Sequence, residues 1–221
     1  MHYNSSHKIL LVGEGNFSFS VCLATALGSG DNIVATSLDS KKTLLRKYGD
    51  EIETTLEELE EEGCIVMHGV NVRTMSQHPL LRNELFDRIV FNFPHAGFTY
   101  SEIEPKQIKL HQNLVRCFVR NAVEMVSENG EIHITHKTSH PFSEWEIVEI
   151  AEEEGLFLKE EAEFSKWDYP GYINKKGDGP YCNRTFPVGC CCTFKFAKAL
   201  PKDKHNKVSN SLAAEFAHLT M

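Results

Sequence analysis

The stretch Ile9-Leu10-Leu11-Val12-Gly13-Glu14-Gly15-Asn16-Phe17-Ser18 decides how the rest of the chain is interpreted. Four branched apolar residues without a polar break are typical of a buried parallel strand. A Gly-Glu-Gly turn follows, and Asn16 is placed to cap a helix that begins directly after the turn. Strand, glycine turn and helix form the opening unit of a nucleotide-binding α/β fold, because the glycines let a ligand approach the backbone closely.

The order of elements after this turn predicts an α/β fold with a mostly parallel, seven-stranded sheet. We predict helices over 17–27, 40–48, 50–62, 104–128 and 143–154, and further strands over 33–39, 64–72, 86–92, 131–137, 156–164 and 191–196. Gly130 is expected to stop the long helix, and Ser143 with Glu146 to form a capping box. Strands that alternate with helices indicate a parallel sheet covered on both faces, and the last two strands indicate an antiparallel hairpin.

Length and charge limit the class of protein. The chain has 221 residues and a net charge of −8, which argues against binding nucleic acid by bulk electrostatics but leaves local basic patches open. We expect one domain over residues 1–200 and a polar, peripheral tail over 201–221. No apolar run approaches the ~20 residues needed to span a bilayer, so no membrane association is expected. We expect a monomer.

The cysteine pattern predicts reduced thiols rather than a metal site. There are seven cysteines and no Cys-x-x-Cys pair, and the adjacent residues Cys190, Cys191 and Cys192 would alternate between the faces of a strand. A site that joins Cys182 and Cys190 across a hairpin stays open. His133 and His136 are considered as metal ligands with His95, but no carboxylate or cysteine completes a recognisable spacing. The prediction is therefore that the chain holds no metal.

Polar residues at the ends of two predicted strands indicate a ligand site. Asp39 ends the second strand, where Rossmann-like folds place a carboxylate that accepts hydrogen bonds from ribose hydroxyls. The alternative for Asp39 is a helix N-cap. Asn92 and His95 flank Pro94, which ends the strand over 86–92 because proline cannot donate to a sheet. Open α/β sheets bind ligands at this carboxyl edge.

The chain resembles the class I S-adenosylmethionine-dependent methyltransferases in the order of its elements and in four places. The resemblance implies that the Gly13-Glu14-Gly15 turn, with Asn16 and Phe17, lies beside the methionine part of S-adenosylmethionine. It implies that Asp39 binds the ribose and that Asn71 lies near the adenine. Asn92-Phe93-Pro94-His95 stands where amino-methylating members carry an Asn/Asp-Pro-Pro-Tyr-like motif.

Two longer motifs point to one family among these methyltransferases. Val12 to Phe19 and Phe86 to Gly97 together look like the 25S rRNA (uridine-N3)-methyltransferase-like family, and Ser165 to Tyr172 resembles its plant branch. The match extends from about Ser6 to Ala197. It implies methyl transfer from S-adenosylmethionine to N3 of a uridine in large-subunit rRNA, with RNA as the partner and a cytoplasmic or nucleolar location. Family members often carry Asp where Asn71 stands.

Each candidate residue of the reaction has a proposed role and an alternative. His95 is the candidate general base, or it caps the loop after Pro94. Asn92 would bind a uracil carbonyl, or it is a turn residue. The residues expected to bind substrate are the base-stacking Phe93, Tyr169 and Tyr172 and the phosphate-binding Lys137 and Lys166. Two other functions stay open: methylation of a small molecule or protein, and a non-catalytic binding domain.

Overall fold

The computed structural model describes residues 2–199 and contains a seven-stranded sheet with helices on both faces. The strands are β1 Ile9–Val12, β2 Ile33–Ser37, β3 Ile65–His68, β4 Phe86–Asn92, β5 Val126–Lys137, β6 Leu156–Glu163 and β7 Cys191–Lys198. The helices are α1 Ser18–Leu27, α2 Lys41–Tyr48, α3 Glu51–Glu61, α4 Pro105–Met125 and α5 Ile147–Glu153. The predicted fold class is confirmed, whereas the predicted tail lies outside the described residues.

The strands lie in the order β3-β2-β1-β4-β5-β7-β6. The chain adds β2 and β3 on one side of β1 and then crosses over to place β4 on the other side. β1 pairs in parallel with both β2 and β4, and β7 is antiparallel to both β5 and β6. The predicted antiparallel hairpin therefore lies at one end of the sheet, with β7 inserted beside β5. The topological switch point lies at the carboxyl ends of the paired strands β1 and β4, where open α/β sheets bind their ligands.

The sheet separates two hydrophobic cores. Leu10 and Val12 of β1 point into one core, while Ile9 and Leu11 point into the other. All four side chains are buried, which explains why β1 has no polar alternation. Within residues 2–199 no helix combines the length and the apolar character that a bilayer crossing requires.

Two predicted helix ends are wrong. α4 ends at Met125, and Val126 already pairs with Phe86 at the start of β5. Gly130 therefore lies within β5, where a Cβ would come within 2.9 Å of the Phe86 carbonyl oxygen and 2.6 Å of Val126 Cγ2. Close backbone approach, and not a helix stop, accounts for this glycine.

The predicted capping box at Ser143 is also wrong. Residues Phe142–Trp145 form a short 3-10 helix, and Glu146 adopts a left-handed φ of 53° before α5 begins at Ile147. Trp145 is buried and stacks on His111 with ring centroids 3.9 Å apart. Burying this indole takes precedence over continuing a regular helix from Ser143.

The start of α1 differs from prediction as well. Phe17, at φ 58°, occupies the N-cap position, and no side chain caps the helix. The Oδ1 atom of Asn16 instead accepts a hydrogen bond from Ser18 Oγ at 3.0 Å. Phe17 is completely buried, so the core fixes the entry of the chain into α1.

Candidate cofactor and acceptor site

A cavity of about 470 Å³ lies at the switch point between β1 and β4. It brings together ten of the residues that the sequence singles out: Gly13, Glu14, Gly15, Asn16, Asp39, Asn71, Asn92, Phe93, His95 and Tyr172. These residues come from the ends of four parallel strands and from the loop before β7. We refer to this space as the cofactor cavity.

The turn after β1 requires glycine. Gly13 has a φ of 70°, and a Cβ there would lie 2.5 Å from Phe91 Cε2. At Gly15 a Cβ would lie 2.9 Å from the hydroxyl oxygen of Tyr48. That hydroxyl is buried and has no hydrogen-bond partner among residues 2–199. The turn therefore leaves its backbone open to the cofactor cavity, which Gly13 and Gly15 both line.

Glu14 is a buried carboxyl group within this turn. Its Oε2 accepts hydrogen bonds from the Oγ of Ser20 at 2.7 Å and from the Ser20 backbone N–H at 3.2 Å. Burial raises the pKa of Glu14 to about 7, although the two bonds from Ser20 oppose the rise. Glu14 can thus exchange a proton near neutral pH and would become fully charged next to a cationic ligand.

Asp39 follows β2 and is held by a lysine. Lys47 Nζ lies 2.6 Å from Asp39 Oδ2 and donates a second bond to the Gly177 carbonyl at 2.8 Å. Ser40, and not Asp39, caps α2, since its Oγ accepts from the Thr43 N–H at 3.2 Å. The helix-cap alternative for Asp39 is therefore wrong, and its second oxygen is left for another partner.

The loop before β7 closes one side of the cofactor cavity. Ser18 Oγ bonds both the N–H of Ile173, at 2.9 Å, and its carbonyl oxygen, at 3.1 Å. With the Lys47 bond to Gly177, this ties the loop to α1 and α2. Tyr172 lines the cavity from this loop and packs edge-on against Phe19. The loop therefore forms one wall of the cofactor cavity.

Asn71 and Asn92 bring amide groups to the carboxyl edge of the sheet. Asn71 Oδ1 accepts the N–H of Arg73 at 3.0 Å, and Asn71 lines the cavity beyond the end of β3. Asn92 Nδ2 is buried without a partner among the described residues. Because buried amide donors are almost always paired, an unpaired one at a cavity wall indicates a ligand acceptor.

His95 belongs to a cluster with Glu102 and His111. Its Nε2 lies 2.8 Å from Glu102 Oε1, and its Nδ1 accepts the Gly97 N–H at 3.1 Å. His111 Nε2 lies 3.2 Å from Glu102 Oε2, without the alignment of a hydrogen bond, and His111 Nδ1 accepts the Ala96 N–H at 3.1 Å. Burial opposes ionisation of Glu102, but the two histidines outweigh it and lower its pKa to about 2.

This arrangement favours the loop-capping role of His95 over the general-base role. Both ring nitrogens are engaged, and the backbone donor at Nδ1 places the proton of the neutral ring on Nε2. His111 Nδ1 likewise accepts a backbone N–H, which places its proton on Nε2, 2.9 Å from Gln107 Nε2 and 3.2 Å from Glu102 Oε2. Of the described His, Cys, Asp and Glu residues, only His95, Glu102 and His111 are close enough together to hold a metal. A metal-bound histidine donates from its second nitrogen, which is the reverse of what is seen here.

Four sequence-derived residues do not line the cofactor cavity. Phe17 and Tyr169 are buried in the core, and Tyr169 stacks on Phe164 with centroids 5.4 Å apart. A buried ring already stacked on a neighbour does not suit the stacking role expected of Tyr169. Lys166 Nζ lies 3.5 Å from Asn174 Oδ1, away from the cavity. Lys137 lines a smaller neighbouring cavity, as described below.

The structure also shows site residues that the sequence did not reveal. Lys47 lies beside Asp39, and Glu102 lies between His95 and His111. The sequence offered one sign of the Asp39–Lys47 pair, because a basic residue stands two turns into the helix that follows Asp39. Nothing in the spacing of Glu102 and His111 distinguishes them from solvated residues on the start of a helix. The predicted alternatives with His133, His136 or cysteines do not form within residues 2–199, where the cysteines are free thiols.

Comparison with known proteins assigns the chain to a family. Residues 10–176 match the BMT5-like family model, described as rRNA (uridine-N3-)-methyltransferase BTM5-like. The chain belongs to the BMT5-like family. This family consists of S-adenosylmethionine-dependent methyltransferases, as the resemblance in the two sequence motifs implied. The glycine turn, the carboxylate of Asp39 and the unpaired Asn92 amide fit a cofactor of that size and polarity at the switch point.

Relatives in plants and yeast are similar over most of this chain. An uncharacterized protein of Arabidopsis thaliana is 51% identical over 201 residues, covering 90% of this chain and 96% of its own length. Heavy metal-associated isoprenylated plant protein 41 of Arabidopsis thaliana is 45% identical, but the match covers only 40% of it. The 25S rRNA (uridine(2634)-N(3))-methyltransferase of Saccharomyces cerevisiae is 22% identical, covering 80% of this chain and 68% of the yeast protein.

Solved structures share the fold of the BMT5-like chain. NSun6 from Pyrococcus horikoshii superimposes with a TM-score of 0.59 at 17% identity, over 90% of this chain and 50% of NSun6. The glycopeptide N-methyltransferase MtfA, complexed with sinefungin, gives a TM-score of 0.54 at 10% identity, over 88% of this chain and 87% of MtfA. These likenesses confirm the class I methyltransferase fold.

Proposed function

We propose that this chain transfers a methyl group from S-adenosylmethionine to N3 of a uridine in large-subunit rRNA. The observation that carries the proposal is the cofactor cavity at the switch point, in a chain that the BMT5-like model matches over 167 residues, 10–176. The name of the yeast relative supports rRNA as the substrate and uridine N3 as the acceptor atom.

Residues on the β1–β3 side of the cavity suit the cofactor. Glu14 and the open backbone of the Gly13 turn would hold the methionine part, Asp39 the ribose hydroxyls and Asn71 the adenine edge. The carboxylates of Glu14 and Asp39 bring negative charge to a ligand that carries a positive charge at sulfur. When bound, S-adenosylmethionine supplies an activated methyl group, so the protein mainly has to align the acceptor with it.

Residues on the β4 side suit the acceptor base. The unpaired Asn92 Nδ2 would donate to a carbonyl oxygen of the uracil ring. N3 lies between the two ring carbonyls, so this bond would orient N3 within the site. Phe93, at a left-handed φ of 49°, lines the same cavity and can contact the ring face. The N3 proton must pass to water before the nitrogen can accept the methyl group. Because N3 lies in the pairing edge, the base has to be unpaired.

The proposal is tested by nucleoside mass spectrometry of large-subunit rRNA from cells that lack the protein. Loss of 3-methyluridine, with its return when the gene is restored, is the expected result. Unchanged 3-methyluridine would contradict the proposal, and labelled methyl transfer into protein or a metabolite would select another acceptor. We further propose a nucleolar or cytoplasmic location, which follows from an rRNA substrate and is checked by imaging the tagged protein.

A further inference from the structure

A second cavity of about 270 Å³ opens beside the cofactor cavity. The two cavities share a common wall made of Phe93, His95, Lys175, Lys176 and Phe186. The other walls come from the end of β5 and from the 3-10 helix Phe142–Trp145. We call this space the annex cavity. It lies on the acceptor side of the switch point, next to the loop that carries Asn92.

The walls of the annex cavity are largely aromatic. Phe142 and Trp145 lie with ring centroids 6.2 Å apart, and His136 packs on Trp145 at 4.2 Å. Phe93 and Phe186 are in edge-to-face contact at 5.2 Å. Flat walls of this kind bind planar rings by stacking, whichever ring is presented. The volume is below the ~300–1,000 Å³ typical of pockets for drug-sized ligands, so it suits one small ring system.

One polar atom in these walls lacks a partner. Trp145 Nε1 is buried on a side chain that is 1% exposed, and it has no hydrogen-bond acceptor within residues 2–199. Glu102 also lines the annex cavity, but its two oxygens lie against His95 Nε2 and His111 Nε2 at 2.8 and 3.2 Å. An indole N–H can donate to a ring carbonyl. A pyrimidine ring that carries a carbonyl group offers that acceptor.

A cation lies at the same wall. Lys137 Nζ is 4.6 Å from the ring centroid of Phe142 and 5.0 Å from that of Phe186. It is the last residue of β5, at the carboxyl edge of the sheet. Because no carboxylate of the described chain forms an ion pair with Lys137, its charge is available to a phosphate group. A nucleotide with its base in the annex cavity brings such a phosphate.

We propose that the annex cavity receives the unstacked pyrimidine base of the acceptor nucleotide. The shared wall of Phe93 and His95 then places the ring edge beside the cofactor cavity, within reach of Asn92. The aromatic walls account for binding the ring, Trp145 Nε1 for recognising a ring carbonyl, and Lys137 for holding the adjoining phosphate. The identity of the base as uracil rests on the proposed function, whereas the place of binding does not.

The first test measures methyl transfer to large-subunit rRNA from cells lacking the protein. Trp145→Phe removes the N–H and keeps a ring, and Phe142→Leu removes a ring while keeping an apolar side chain. We expect each variant to lower kcat/KM for rRNA about tenfold, with the Kd for S-adenosylmethionine within twofold of wild type. Thr25→Val, at an exposed position of α1, is the matched control and should match wild type. Unchanged kcat/KM in both annex variants would overturn the proposal.

A second test separates the annex cavity from the proposed function. Saturation-transfer NMR with uridine 5′-monophosphate, in the presence of S-adenosylhomocysteine, should show transfer to the H5 and H6 protons of the base. The signal should fall at least twofold in Phe142→Leu and Trp145→Phe. If the wild-type protein gives no transfer, or the variants give equal transfer, the annex proposal is wrong. Transfer that depends on these residues, without 3-methyluridine formation in rRNA, would overturn the proposed function alone.

Discussion

Replacing Glu14 by glutamine tests the electrostatics of the cofactor cavity most sharply. The glutamine amide oxygen can still accept both hydrogen bonds from Ser20, so shape and bonding are kept while the titrating group is lost. The pKa of Glu14 is about 7 in the folded protein, against an ordinary value of 4.5. That difference, at ~1.36 kcal/mol for each pH unit, corresponds to on the order of 3 kcal/mol.

The direction in which pH changes the free energy of unfolding depends on whether the folded or the unfolded state holds the Glu14 proton. Between pH 4.5 and about 7 the folded protein keeps the Glu14 proton and the unfolded chain has lost it. The free energy of unfolding therefore falls as the pH rises through this interval, and the fall ends above pH 7. Burial lowers the pKa of His133 to about 4 and that of His136 to about 3, so these residues give an opposite slope. The difference between wild type and Glu14→Gln cancels their contribution.

The measurement is urea unfolding of both proteins at pH 5, 6, 7 and 8. Relative to wild type, Glu14→Gln should gain on the order of 3 kcal/mol in free energy of unfolding between pH 5 and pH 8. Ser20→Ala, which keeps the carboxyl group and removes one hydrogen bond to it, should retain the pH dependence. Parallel curves for wild type and Glu14→Gln would refute the burial of a carboxyl group with a raised pKa.

Three further predictions concern the rest of the site. Gly13→Ala should lower the free energy of unfolding by on the order of 2 kcal/mol, because a left-handed φ and the contact with Phe91 both oppose a Cβ; equal urea midpoints would contradict this. Asp39→Ala should weaken S-adenosylmethionine binding at least tenfold in calorimetry, with Asp31→Ala as an exposed control, and undiminished binding would remove the ribose assignment. Zn²⁺ should leave the thermal midpoint unchanged, since the His95 and His111 Nε2 atoms carry protons; a metal-dependent rise abolished by His111→Ala would overturn that tautomer assignment.

The fold was predictable because its strongest signals are local. An unbroken apolar run that a glycine turn follows, such as Ile9 to Val12, favours a strand buried on both faces, and Pro94 marks the end of β4. Alternation of strands and helices then restricts the sheet order. Glycine at position 13 was identified from the same local reasoning, and the structure supplies its cause in the ring of Phe91.

Features that depend on tertiary contacts were not predictable. Asn16 has the chemistry of a helix cap, but the burial of Phe17 sets where α1 begins. Ser143 and Glu146 match a capping-box pattern that the stacking of Trp145 on His111 overrides. His95 looked equally suited to proton transfer and to loop capping, and only the backbone donor from Gly97 separates the two. Its partners Glu102 and His111 meet it through the path of a loop that no periodicity encodes.

Reconstitution with purified components tests the central claim most directly. The protein is incubated with S-adenosylmethionine and large-subunit rRNA from cells that lack it, and the nucleosides are resolved by mass spectrometry. The account predicts that 3-methyluridine appears with the wild-type protein and falls at least tenfold with Asn92→Ala, while the Kd for S-adenosylmethionine stays within twofold. Transfer of the methyl group to another nucleoside, or equal 3-methyluridine with Asn92→Ala, would contradict it.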